Sequence, residues 1–351
     1  MKGNPLVSVC IPTYNNARHI GKTLRSIINQ TYKNIEIVVC DNASTDDTKG
    51  VIKSFSDERI KYYKNPKTII CLANWNLSIK LATAGYVSVY HSDDIYEPQI
   101  IEKELEFLEN HPDVGAVFCL DKVIDENDIY IRKGIKLPYE IKNRDTITFM
   151  ELFPMLLKTA GILLVAPTFM ARKEIFNNID FFDETEKFGH STGSAGDTEM
   201  WLRISRKYKI GIIRERLIRR RVSITQGSNE YERSRITDAN IFSVLDGYRN
   251  SPEIAGKIEK GTLRQYEFNK FWDKVIIAKN LIRHGRQNEA REILAKSFSP
   301  GRFKTGLRTY KNMAKLGAYF FLLGMLFLGL GRAATGVLPF LKRIYLKLYY
   351  R

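Results

Sequence analysis

Sulfur-based scaffolding is the first thing this chain lacks. Its 351 residues hold four cysteines, Cys10, Cys40, Cys71 and Cys119, with no CxxC pair and no histidine spacing suited to zinc. Cys10 and Cys40 lie inside apolar runs, where a free thiol behaves as a small hydrophobe. A reduced, cytosolic setting fits this usage. The phosphate-binding signatures GxGxxG and GxxxxGK[ST] are also missing, so neither a dinucleotide fold nor a P-loop is expected. Acidic residues run out early. No Asp or Glu follows Glu292, while Lys296, Arg302, Lys304, Arg308, Lys311, Lys315, Arg332, Lys342, Arg343, Lys347 and Arg351 do. The formal charge of +16 is therefore mostly a C-terminal property and says little about the rest. A strand-like run starts within a few residues of Met1, so no signal peptide is expected.

What is present is an ordinary apolar fraction, 44%, enough for a sizeable core. Leu6 to Ile11 and Ile35 to Cys40 read as buried strands, and Ile60 to Tyr63 as a short third. Between them Ile20, Leu24, Ile27 and Ile28 recur at helical spacing. A second helix runs to Phe55, with Thr45 or Asp46 as its cap. Leu72 to Ala84 reads as a helix, Tyr86 to Tyr90 as a strand, Gln99 to Asn110 as a helix and Val114 to Leu120 as a strand. This alternation predicts an α/β protein with a doubly wound, mostly parallel sheet. Lys122 to Arg144 reads as a polar loop, followed by a helix from Phe149 to Lys158 and a strand from Ile162 to Arg172. Gly189 to Gly196 reads as a loop over a site. Asp197 opens a helix, and Ile210 to Ile213 and Leu217 to Val222 read as two strands. Beyond about residue 228 the pattern turns helical, with His284-Gly-Arg286 separating two helices.

Polar residues collect at three strand ends: Pro12 to Asn16, Asp41 to Asp47 and Ser92 to Asp94. In one parallel sheet these ends would lie side by side and form one cleft. Asp93 and Asp94, adjacent at the end of an apolar strand, are costly without a positive partner. A divalent cation carrying a phosphorylated substrate would supply one. The competing reading is a helix cap, Asp94 with Glu97 three residues on. Near the end, Leu316 to Gly331 is apolar throughout. At about 1.5 Å per residue it spans roughly 24 Å, short of the ~30 Å hydrocarbon core. Its basic flanks suit a monotopic or re-entrant anchor on an anionic membrane face, with a buried core helix as the alternative. A nucleic-acid partner is not expected, because the basic residues flank an apolar run.

Four segments together resemble the family 2 glycosyltransferases of GT-A fold. They are Val7-Ser-Val-Cys-Ile-Pro-Thr-Tyr-Asn15, Val38-Val-Cys-Asp-Asn-Ala-Ser-Thr-Asp-Asp-Thr48, His91-Ser-Asp-Asp94 and Gly196-Asp-Thr-Glu-Met-Trp-Leu-Arg203. The likeness covers roughly residues 5 to 225. It implies that Tyr14 holds the nucleotide base with Pro12 and Thr13, and that Asn15 belongs to the same donor-binding set. Turn packing is the alternative for Tyr14. Asp41 would accept a hydrogen bond from the base, or else only close an Asx-turn. Asn74 would line the donor pocket, and Trp75 is most simply core. Asp93 and Asp94 would hold Mn²⁺ or Mg²⁺, with Asp93 also facing the donor. His91 stands where an acid is usual and is expected to be a satisfied strand-end histidine.

The same likeness makes Asp197 the general base of an inverting transfer, with Glu199 the runner-up and capping the alternative. Trp201 is most simply core. Arg219 and Arg221, on one face of a strand, could reach the diphosphate, or could simply be solvated. Ser223 stands where the family often has His. The expected organisation is a GT-A domain over 1–228, a helical extension over 229–300 and a basic, apolar, membrane-associating tail over 301–351. The expected activity is transfer from a nucleotide sugar (UDP- or dTDP-linked) to a glycan or lipid-linked acceptor, in cell-surface polysaccharide synthesis at the inner membrane face. The alternatives are an inactive GT-A scaffold and, lacking the Gly-rich basic loop it needs, a nucleotidyltransferase.

Overall fold

A computed structural model of the chain describes residues 3–161, 163–184, 195–223, 232–333 and 335. The chain divides into two compact units, one of Met1–Leu156 with Gly161–Gln226 and one of Leu157–Ala160 with Gly227–Arg351. The first unit is built on a mixed sheet. Its strands are β1 (Val7–Thr13), β2 (Ile35–Asp41), β3 (Ile60–Lys64), β4 (Tyr86–Val89), β5 (Ile95–Tyr96), β6 (Val114–Ile124), β7 (Tyr130–Lys133), β8 (Thr146–Ile147), β9 (Phe169–Arg172) and β10 (Lys209–Arg221). Their spatial order is β3-β2-β1-β4-β9-β6-β10-β5, with β7 beside β6 and β8 beside β10. The block β3-β2-β1-β4 is parallel, as is the pair β6 and β10. β9 runs antiparallel between β4 and β6. The expected mostly parallel sheet is present.

Helices cover this sheet: α1 (Ala17–Ile28), α2 (Thr48–Lys53), α3 (Cys71–Leu81), α4 (Ile100–Asn110), α5 (Phe149–Thr159), α6 (Phe176–Ile179) and α7 (Ala195–Lys207). Every position of β1 and β2 is buried, as befits central parallel strands covered on both faces. In α1, Ile20, Leu24 and Ile27 recur at steps of four and three and are fully buried, so one stripe of the helix lies on the sheet. Truncating Leu24 to Ala would cost about 2–5 kcal/mol by the usual transfer and cavity terms.

Several local expectations are revised. Lys122 to Arg144 is not simply a loop: β6 runs on to Ile124 and turns back through β7 as a hairpin. The two strands expected over 210–222 are one bulged strand, β10, whose register on β6 shifts between Ile213 and Ile218. The strand expected from Ile162 is confined to Phe169–Arg172. Asp94 and Glu97 form no capping box, because β5 lies between Asp94 and α4, and Glu97 pairs with Arg219 and Lys122. The loop expected from Gly189 lies, up to residue 194, outside the described residues, as does the basic end from Lys342.

The second unit is helical: α8 (Asn240–Arg249), α9 (Lys260–Arg283), α10 (Gln287–Ser297), α11 (Pro300–Gly306) and α12 (Tyr310–Phe327). His284-Gly-Arg286 separates α9 from α10 as expected, with Gly285 at φ +81°, a left-handed value that glycine takes without a Cβ clash. Hydroxyls cap the next two helices. Ser299 accepts from the Arg302 amide at 3.3 Å and Thr309 from the Asn312 amide at 3.1 Å. The core joins Phe268, Phe271, Ile277 and Leu281 of α9, Ala290 and Leu294 of α10, and Leu316, Tyr319, Leu322 and Leu326 of α12. One face of the long apolar run is thus a core helix. Among the described residues no helix is long and apolar enough to cross a membrane.

Candidate active site

Parallel pairing sets the site. Thr13 of β1 lies opposite Asp41 of β2, and Cys10 lies opposite Val89 of β4, so the three polar strand ends share one edge. They are stitched together by hydrogen bonds. The Asn15 amide donates to Ser44 Oγ at 2.9 Å, and Asn15 Oδ1 accepts from the Thr45 amide at 2.8 Å. The Asn16 amide donates to Thr48 Oγ1 at 2.8 Å, and Asn16 Nδ2 to Ser92 Oγ at 2.7 Å. Asp46 serves two helix starts at once: its carboxylate accepts from the Ala17 amide at 2.9 Å and the Thr48 amide at 3.1 Å. Asn15 (φ +46°) and Ala43 (φ +61°) both sit in the left-handed region, so the two turns at this edge are held in a costly conformation.

Tyr14 stands exposed at the mouth of this edge, an open aromatic face, and is not buried in turn packing. Thr13 is buried, and its Oγ1 has no hydrogen-bond partner. Asp41 is buried with Oδ1 accepting from the Ser44 amide at 2.7 Å and Oδ2 from Tyr62 at 2.6 Å. The Asx-type closure therefore forms, and each oxygen keeps a second acceptor direction. Asn74 is buried in the strand-end network, donating to the Cys40 carbonyl and accepting from Asn65, both at 3.0 Å.

The acidic corner follows β4. His91, Asp93 and Asp94 each offer one ligand atom, and these three atoms lie within 4.8 Å of one another. Two atoms of this corner, His91 Nε2 and Asp94 Oδ2, are buried without a hydrogen-bond partner. Orphaned buried polar atoms are rare and need an explanation. His91 is accordingly not the satisfied strand-end histidine expected from sequence. Burial first, then the charge of Asp93, pushes the Asp94 carboxyl well above the usual carboxylate range, and burial pulls His91 below its ordinary value. Each group thus disfavours its charged form as it stands. A divalent cation reverses that balance for Asp94 and binds the neutral imidazole that His91 already favours. A carboxylate pair and an imidazole within one small radius are a fitting donor set for such an ion.

Arg221 holds this corner in place. Its amide donates to Asp94 Oδ1 at 2.7 Å, and its Nε donates to the Asp93 carbonyl at 2.8 Å. Its two terminal nitrogens reach the Asp125 carbonyl at 2.7 Å and Asp128 Oδ1 at 2.5 Å, on the β6–β7 turn. The side chain is 1% exposed. Arg221 is therefore buried and engaged with this corner and with the β6–β7 turn, where the resemblance had placed it toward the diphosphate. Arg219 pairs with Glu97 and Arg220 with Asp121. The same turn is tied down by Arg18 and Ser223 to Glu126 and by Lys22 to Asp128. α1 joins in through Thr23, whose hydroxyl lies 2.8 Å from the Ser92 carbonyl and 2.7 Å from that of Asp94.

Asp197 lies in the first turn of α7, where the helix dipole favours an acid. Burial pushes its carboxyl from an ordinary 3.8 up to about 6. α3 links it to the acidic corner. Leu72 fills the space beside Gly196, where an added Cβ would come within 2.5 Å of Leu72 Cδ1. One turn on, Trp75 packs on the His91 ring with centroids 5.2 Å apart. The Leu72 contact gives a physical reason for glycine beside Asp197. Glu199 is committed elsewhere: both its oxygens accept from Arg203 Nε at 2.8 Å. Trp201 is core, packed edge-on against Phe118 and 1% exposed.

Comparison with known proteins agrees with this geometry. Residues 8–179 match the family described as Glycosyl transferase family 2. An uncharacterized glycosyltransferase of Rickettsia prowazekii is 31% identical over 231 residues, 64% of this chain and 67% of that protein. The Escherichia coli UDP-Glc:alpha-D-GlcNAc-diphosphoundecaprenol beta-1,3-glucosyltransferase is 35% identical over 136 residues, 39% of this chain and 53% of that protein. A Pyrobaculum calidifontis mannosyltransferase, solved with GDP-Man and Mn²⁺, shares the fold at a TM-score of 0.53 and 18% identity, over 96% of this chain and 87% of that one. With its strand-end cleft, acid pair and helix-borne carboxylate in that frame, the chain belongs to the family 2 glycosyltransferases.

Proposed function

We propose that this glycosyltransferase is an inverting, metal-dependent enzyme that moves a sugar from a nucleoside diphosphate to a hydroxyl of a glycan or lipid-linked acceptor. The observation that carries this reading is the pair of orphaned atoms, His91 Nε2 and Asp94 Oδ2, in a three-residue corner at the strand ends. Asp93, Asp94 and His91 would hold the ion, Mn²⁺ or Mg²⁺, which would neutralise charge on the departing diphosphate. Tyr14 offers its ring to the base and Thr13 Oγ1 a hydrogen bond. Asp41 accepts from the imide N–H of a uracil or thymine. Asp197 takes the proton of the acceptor hydroxyl. That oxygen's electron pair forms the new bond to the anomeric carbon, on the face opposite the donor. The old glycosidic C–O bond breaks with its electrons leaving on the diphosphate, so the configuration inverts. The UDP-Glc named for the E. coli relative, and the Mn²⁺ bound by the archaeal mannosyltransferase, support the donor and ion classes.

A thermal-shift screen of nucleotide sugars with Mn²⁺ tests the reading, since a donor that binds the folded state raises its melting temperature by mass action. The expected result is stabilisation by a uridine or thymidine diphosphate sugar that EDTA abolishes, together with metal-dependent release of nucleoside diphosphate. Donor stabilisation unaffected by EDTA would overturn the metal assignment.

A further inference from the structure

The long apolar helix α12 is used on one face only. Leu316, Tyr319, Leu322 and Leu326 are buried in the core of the second unit. Tyr310, Met313, Phe320 and Phe327 recur at steps of three and seven along a neighbouring face and are exposed to solvent, Tyr310 by 81% and Phe327 by 65%. Gly317 and Gly324 fall within the same stripe, and a Cβ on either would meet nothing within 4 Å. The stripe broadens where α10, α11 and α12 meet. Phe298, Phe303 and Phe320 are all exposed and touch one another, with ring centroids 6.0 to 6.2 Å apart. A cluster of exposed aromatic side chains of this kind marks an interaction surface. The two helices that carry it, α11 and α12, bear one sign of charge. Lys304, Arg308 and Lys311 are exposed along α11 and the start of α12, and the sequence has no acid after Glu292.

We propose that this face of α11 and α12 docks on an anionic lipid bilayer, with the three phenylalanines entering the interface and the basic residues of these helices meeting lipid phosphates. The charge pattern selects that occupant. A second copy of the chain seated face to face would bring Lys and Arg against Lys and Arg, because a two-fold interface pairs a surface with itself. A bilayer supplies an apolar layer and negative charge together. Rings seated in the interface and cations at its surface give peripheral attachment, consistent with no described helix being able to span a membrane. The proposal goes beyond the transfer reaction and does not depend on it.

Co-sedimentation of the full chain with vesicles tests it, using phosphatidylcholine alone and phosphatidylcholine with phosphatidylglycerol, at about 0.1 M and 0.5 M salt. Each basic residue near an anionic surface contributes roughly fivefold in partitioning. The triple reversal Lys304→Glu, Arg308→Glu and Lys311→Glu is therefore expected to lower binding to anionic vesicles by roughly a hundredfold or more. Phe303→Ser with Phe320→Ser is expected to lower it on both vesicle types, and high salt to weaken the parent chain. All these side chains are solvent-exposed, so circular dichroism and metal-dependent donor hydrolysis should match the parent, which separates this test from that of the catalytic reading. Unchanged binding in the charge-reversed chain would place any lipid contact elsewhere and overturn the proposal. A dimer in sedimentation velocity that the double serine variant dissolves would overturn it in favour of a second copy.

Discussion

Asp197→Asn should remove transfer and make the protein more stable. Burial raises this carboxyl from 3.8 to about 6. Roughly two pH units at about 1.4 kcal/mol each come to about 3 kcal/mol. The sign follows from which state binds the proton more tightly. The folded state does, so the protonated form is the one folding favours, and ionisation above pH 6 costs stability. The penalty is absent below about pH 4, grows as pH rises from 4 to 6, and is complete at pH 7. Asparagine never ionises and escapes it. Asp197 keeps some solvent contact, so 3 kcal/mol is a ceiling. At roughly 2–4 °C per kcal/mol for a unit of this size, the variant should melt up to about 10 °C higher at pH 7, with the gap closing toward pH 4. The same ionisation predicts that transfer by the parent enzyme falls about tenfold per pH unit below pH 6. Differential scanning fluorimetry across pH 4 to 8 and product formation with a sugar nucleotide are the two readouts. A variant that melts lower at pH 7, or that still transfers sugar, would refute the argument.

Three other perturbations follow from the same geometry. His91→Ala should weaken Mn²⁺ binding on the order of tenfold and Mg²⁺ less, because imidazole favours the transition ion. Titration calorimetry with UDP present reads the two affinities, and equal losses for both ions would exclude an imidazole ligand. Arg221→Met removes the side-chain bonds to Asp128 and to the Asp93 and Asp125 carbonyls and should cost about 1–3 kcal/mol in urea denaturation, since buried acceptors lose their donor, whereas a residue touching only the donor would change KM alone. Ala43→Gly relieves a left-handed alanine at φ +61° and should stabilise by roughly 0.5–1 kcal/mol, since glycine takes that backbone freely. A loss of stability there would show that the Cβ contributes packing.

The parallel half of the sheet was legible because its signals are local. β1 and β2 are short apolar runs ended by turn residues, and the polar residues after them had only one edge on which to meet. The antiparallel half was harder. The hairpin of β6 and β7 did carry a signal, the turn Asp125-Glu126-Asn127-Asp128 between Val123-Ile124 and Ile129-Tyr130-Ile131, but its charges read as a solvated loop. Their partners, Arg18, Lys22 and Arg221, lie roughly 90 to 110 residues away in sequence, so nothing nearby announced them. The burial of Arg221 was hidden for a related reason. Alternation along a strand says which side chains share a face, and says nothing of whether that face is open. Glu199 was settled by Arg203 four residues on, a pairing the helical spacing already permitted. Neither the orphaned Nε2 of His91 nor the exposed stripe of α12 was visible in sequence, since both depend on what other elements leave uncovered.

The bulge in β10 has a consequence for how this chain can change in length. Between Ile213 and Ile218 the strand advances five residues while its partner advances two, from Cys119 to Asp121. Three surplus residues bring Arg221 opposite Ile124 with its side chain turned inward. Because strand side chains alternate, losing or gaining one residue there would turn Arg221 outward and take its guanidinium from Asp128 and from the Asp93 and Asp125 carbonyls. Arg214 and Glu215 are exposed within that stretch, so their identities can drift. Their number is held to one parity: the segment is permissive to substitution and closed to the gain or loss of a single residue.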